Sequence, residues 1–74
     1  MIFRIDRYKS EIGTANIETH QGGKFVIKVK DKQGNIVAQE TQPTITLAKM
    51  TVENYLGENY TRVKGNLIAD ELNK

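Results

Sequence analysis

The spacing of apolar residues changes at Pro43, and that change limits what the chain can become. Before it, Phe25, Ile27 and Val29 alternate with Lys24, Val26, Lys28 and Lys30, as in a strand with one face turned to a core. After it, Leu47, Ala48, Thr51, Val52, Tyr55 and Leu56 recur at helical spacing, forming one stripe of an amphipathic helix. Pro43 ends the strand, Thr44 or Thr46 supplies an N-cap, and Gly57 stands where a left-handed residue closes a helix.

Earlier residues add strands. In Ile2 to Tyr8, period two puts Met1, Phe3 and Ile5 on one side, the expected buried face, and Arg4 and Asp6 on the other. "KSEIGT" breaks the alternation at Gly13, and "ANIETH" resumes it with Ala15, Ile17 and Thr19 on one side. The glycines of Gln21-Gly22-Gly23 suit a hairpin turn. "DKQG" suits a type I turn with Gly34 left-handed and a bulge after it. In that register Val29 faces Val37, Ile27 faces Gln39 and Phe25 faces Thr41, while Lys30, Lys28 and Val26 face Ile36, Ala38 and Glu40. A two-residue loop instead puts Ile36 and Ala38 beside Phe25, because a one-residue slip exchanges the faces of a strand. The lysines lie opposite Phe25 in both registers.

Beyond the helix, "YTRVKG" reads as a short strand and "NLIADELNK" as a terminal helix capped by Asn66, with Leu67, Ile68 and Leu72 inward. Tyr60, Val63, Leu67 and Leu72 also fit one longer helix, in which Gly65 would cost about 1 kcal/mol. The expected architecture is a single small α+β domain over residues 1–74: a three- or four-stranded antiparallel β-meander packed against one α-helix, with a short C-terminal strand or helix. The span from Phe25 to Leu56 resembles the hairpin-plus-helix units of small bacterial and phage proteins. That resemblance covers under half the chain, rests on common residue types and carries over no functional residue.

Size and composition remove several function classes. A chain of 74 residues buries only about 60% of its unfolded surface, which disfavours a roomy active site and favours a partner that adds burial. With no cysteine there is no disulfide framework, and a reducing, cytoplasmic setting is expected. The opening "MIFRIDRYKS" lacks the apolar core of a signal peptide, and no apolar run reaches the length of a membrane span. One histidine and no cysteine leave too few ligands for a structural zinc site. Ser10, the one serine, has no activating motif around it, and "QGGK" lacks phosphate-loop spacing. His20 is expected at an exposed hairpin end, and Glu11, Glu18, Asp70 and Glu71 as solvated acids. The expectation is a non-enzyme with no cofactor, no metal and no small-molecule substrate.

What remains is charge. Arg4, Arg7, Lys9, Lys24, Lys28, Lys30 and Lys32 oppose four acids within residues 1–32, whereas residues 33–74 carry four cations against five acids. Lys24, Lys28 and Lys30 project from one strand face at roughly 7 Å intervals, a spacing near that of phosphates along one nucleic-acid strand. Lys32 at the turn tip and Arg4 on a neighbouring strand complete the candidate nucleic-acid-binding set. Lysines on an open sheet also keep it soluble and deter edge pairing. The alternative is a protein-interaction module, a homo-oligomer or a small regulator of host or mobile-element origin. It would dock through Ile2, Val26, Met50 and either Ile36 with Ala38 or Val37, or through an edge strand.

Overall fold

A computed structural model of the chain describes residues 2–63 and 67–68. Four strands follow one another as antiparallel neighbours: β1 (Ile2–Lys9), β2 (Gly13–His20), β3 (Lys24–Asp31) and β4 (Ile36–Gln42). Helix α1 (Ile45–Leu56) then carries the chain back to the far side of β1, where β5 (Thr61–Arg62) and β6 (Leu67–Ile68) pair antiparallel with it. The strand order is β4-β3-β2-β1-β5, with β6 also on β1. This is the expected α+β meander with a helix on one face. None of its described helices is long and apolar enough to cross a membrane.

The helix is capped at both ends as its sequence dictates. Thr44 Oγ1 accepts the Leu47 N–H at 3.1 Å, and Gly57, at φ 84°, donates its N–H to the Glu53 carbonyl at 2.8 Å. Ala48, Val52 and Leu56 face inward against Ala15, Ile17, Ile27, Val29 and Tyr8, with Phe25, Ala38 and Tyr60 packed around them. Tyr60 meets Tyr8 edge to face, ring centroids 5.5 Å apart. Thr51 is buried on the flank, its hydroxyl donating to the Leu47 carbonyl and accepting from Gln42 Nε2. Gly13 is required by a close approach, since a Cβ there would run into the Lys30 carbonyl oxygen.

Two bulges correct the sequence reading, because each inserts one residue and so changes which side chains share a face. In β1 the pairing steps from Ile2–His20 to Arg4–Thr19. Arg4, Asp6 and Tyr8 therefore share the helix-covered face with Thr19, Ile17 and Ala15, and Ile5 takes the open one. Phe3 is left 48% exposed. The strand's buried face is the one that period two assigned to solvent.

In the β3–β4 hairpin the turn forms as expected, with Gly34 at φ 89° and its N–H on the Asp31 carbonyl at 3.1 Å. Lys30 opposite Ile36 also agrees with the bulged-turn register, but a second irregularity at Val37 then sets Val29 against Ala38, Ile27 against Glu40 and Phe25 against Gln42. Neither sequence register holds along the whole strand.

Residues 67–68 are strand rather than helix. The expected cap at Asn66 and the rest of the terminal helix, 69–74, lie outside the described residues.

Candidate nucleic-acid interface

Among the described residues, the helix covers one face of the sheet and leaves the other open. Because directly paired residues in antiparallel strands share a face, the pairings fix what the open face carries. One row across the strands is Arg7, Asn16, Lys28 and Gln39; the next is Lys9, Thr14, Lys30 and Ile36. A third row is Ile5, Glu18, Val26 and Thr41, and the last pairs His20 with Lys24. Among the described residues, five cations (Arg7, Lys9, Lys24, Lys28, Lys30) thus share the face with one carboxylate, Glu18. Along a strand, the cations of neighbouring rows stand about 7 Å apart, and β1 and β3 are separated by roughly 10 Å across β2.

Of the residues the sequence put forward, Lys24, Lys28 and Lys30 do share this face. Lys32 is exposed in the β3–β4 turn, beyond the end of the strand. Arg4 does not join them: the bulge in β1 puts it on the covered face, where Nε donates to Asp6 Oδ1 at 2.9 Å and Nη2 lies in an ion pair 2.9 Å from the same oxygen. Arg7 and Lys9 replace it. The sequence signal for those two was their odd-numbered positions alongside Ile5, hidden by assigning that face to the core.

Glu18 is the unexpected member. Placed among solvated acids by sequence, it is only 7% exposed, although it lies on the uncovered side of the sheet. Ile5 and Val26 flank it across the two neighbouring strands, Lys28 Nζ forms an ion pair 2.9 Å from Oε2, and His20 Nε2 lies 3.1 Å from Oε1. Lys28 is therefore tied down along the sheet rather than extended into solvent, and His20 is part-buried instead of free at a hairpin end.

A second charged group lies on the covered side. Asp6, 7% exposed, accepts from Arg4 and from Arg62 Nη2 at 3.0 Å. Burial, with the Asp6 carboxylate, pushes the Tyr8 hydroxyl above its ordinary pKa, against the opposing pull of Arg62. At the other edge a hydrogen bond to Glu40 raises Tyr55. Among the described residues no three His, Asp or Glu side chains gather as a metal-binding group. The chain matches no protein-family model, no curated protein and no solved structure.

Proposed function

We propose that the chain is a small non-enzymatic binding module of the cytoplasm whose open sheet face contacts nucleic-acid backbone. The observation that carries this reading is the two adjacent rows headed by Arg7 and Lys9, four cations at paired positions on β1 and β3 with Asn16 and Thr14 between them and Gln39 beside Lys28 on β4. Cations neutralise phosphates and release counterions. Amide and hydroxyl side chains between them donate to phosphate and sugar oxygens. A sheet laid against a groove is a known docking mode, and the absence of aromatics from these rows favours duplex backbone over stacking on single-stranded bases.

The test is fluorescence anisotropy with labelled duplex DNA. Three to four phosphate contacts predict a fall in affinity of about 40- to 150-fold between 50 and 200 mM salt. Charge reversal at Lys9, Lys24 and Lys30 together should abolish binding, while Lys49→Glu on the helix should leave it intact. No binding at 50 mM salt, or a triple variant that binds like wild type, would overturn the reading.

One observation favours a second reading, self-association. Strand β4 ends the sheet, and the large apolar residues Ile36 (58% exposed), Val37 (60%) and Met50 (53%) lie on it and on the helix. An exposed edge of this kind pairs readily with a second copy. Light scattering across a concentration series decides it, a strict monomer removing the homo-oligomer.

A further inference from the structure

We infer that the pocket between β1, β5 and the start of α1 binds the dianionic phosphate group of a small phosphomonoester, held by Arg4, Arg62, Lys49 and the Tyr8 hydroxyl. The pocket holds about 210 Å³ and is lined by these four residues with Asp6 and Ile45. It lies on the helix-covered side of the sheet, so it stands or falls independently of the open face.

Charge is the first argument. Arg4 and Arg62 converge on a single oxygen, Asp6 Oδ1, at 2.9 and 3.0 Å. One carboxylate thereby holds two guanidinium groups side by side, and Lys49, which makes no ion pair with a described residue, adds a third cation. Among the described residues that line the pocket, three cations and one acid leave a surplus of two positive charges, the complement of a phosphate monoester dianion.

Donor supply is the second. Each guanidinium has five N–H groups; Asp6 accepts one hydrogen bond from Arg4 Nε and one from Arg62 Nη2. The remaining donors are oriented by the shared carboxylate rather than left to swing, which is how bidentate recognition of phosphate is made selective.

Tyr8 is the third. The residue is only 5% exposed, yet its hydroxyl makes no hydrogen bond to a described residue and is not sealed away from solvent. It lies within the electrostatic reach of Asp6, Arg62 and Arg4. A buried tyrosine ordinarily finds a partner for its hydroxyl, and here the pocket is where that partner would come from. Ile45, the first helical residue, brings the positive end of the α1 dipole to the same place. At about 210 Å³ the pocket has room for a phosphate group with a small substituent, and it lies below the range of ordinary small-molecule pockets.

The experiment is a two-dimensional ¹H–¹⁵N NMR titration of the intact chain at pH 7.5 and fixed ionic strength with inorganic phosphate, methyl phosphate and dimethyl phosphate. Inorganic and methyl phosphate should give saturable shifts at the Arg4 and Arg62 Nε–H groups and at the amides of Tyr8, Ile45 and Lys49. Dimethyl phosphate, a monoanion, should bind at least about tenfold more weakly. Lowering the pH to 5, below the second phosphate pKa of about 6, should weaken methyl phosphate in the same way. Arg62→Gln should weaken binding about tenfold. Lys49→Gln, which breaks no described contact, should weaken it too, so a folding defect cannot mimic the result. Non-saturating shifts, an equal response to dimethyl phosphate, or unchanged binding in Lys49→Gln and Arg62→Gln would show that the arginines serve only to neutralise Asp6. Shifts confined to Lys28 and Lys30 would place the phosphate on the open face instead and equally overturn the proposal.

Discussion

Asp6 and Glu18 are both buried carboxylates of one sheet, but they are buried on opposite faces and by different means. Asp6 lies on the side that the helix covers, and one of its partners, Arg62, comes from a strand 56 residues further along the chain. Glu18 lies on the open side, and its surroundings come from its own and neighbouring strands: Ile5, His20, Val26 and Lys28. The first acid therefore depends on closure of the whole fold, and the second only on sheet pairing. On the covered side a cationic surplus gathers around a pocket; on the open side the acid holds one lysine flat within a broad basic surface. Neither ion-pair set is a large source of stability, because Arg4, Arg62, Lys28 and His20 all keep substantial exposure.

Truncating an apolar residue on each face is the strongest way to break this comparison. Ile17→Ala, at a fully buried position, should cost about 2–5 kcal/mol by chemical denaturation, whereas Ile5→Ala on the open face should cost about 1 kcal/mol. Equal losses would mean that the open face is covered in solution, which would favour self-association over nucleic acid.

A smaller effect separates long-range from local closure. Arg62→Ala should speed hydrogen exchange at the Val63 amide, which donates to the Arg7 carbonyl at 2.8 Å, by about two- to fivefold, the loss of an exposed ion pair. Lys28→Ala should leave that amide unchanged. If both variants act alike, the two acids are coupled through the sheet and the contrast between them fails.

The smallest expected effect is at the hairpin tip, away from both acids. Asp31 Oδ1 accepts the backbone N–H groups of Asn35 at 3.0 Å and Gln33 at 2.9 Å. The Asn35 N–H in particular holds this carboxyl below the ordinary carboxylate value. Since the folded pKa is the lower one, its contribution is present above the unfolded value of about 3.9 and is lost as pH falls through the folded value. Thermal midpoints between pH 5 and 2 should show that loss in wild type and a shallower one in Asp31→Asn. Identical curves would assign the hairpin's acid sensitivity elsewhere.

These contrasts also mark where the sequence was readable. β3, the turn at Gly34 and the helix followed from period and punctuation, because each is set within a dozen residues. The lysine face followed too, since Lys24, Lys28 and Lys30 share parity with one another whatever β4 does. The bulges at Phe3 and Val37 were not legible: one extra residue leaves composition untouched and reverses every later side chain of the strand. That is why Arg4 was assigned to the basic face while Arg7 and Lys9, the residues that belong there, were passed over. Asp6 looked like a surface acid because nothing near it in sequence announces Arg62. Glu18 looked solvated because an alternating strand says which face a residue takes, and not whether neighbouring side chains fold over it.

The return of the chain to β1 sets Arg4 directly opposite Ile68 in an antiparallel pair. Tension drawn outward through those two residues would load the pair from one end and peel it bond by bond, as a zipper opens, rather than shearing a row of bonds at once. The domain should therefore yield to small mechanical forces along that line. The same neighbouring pair of attachment points would let it be spliced into a surface loop of another protein with little spreading of the host chain.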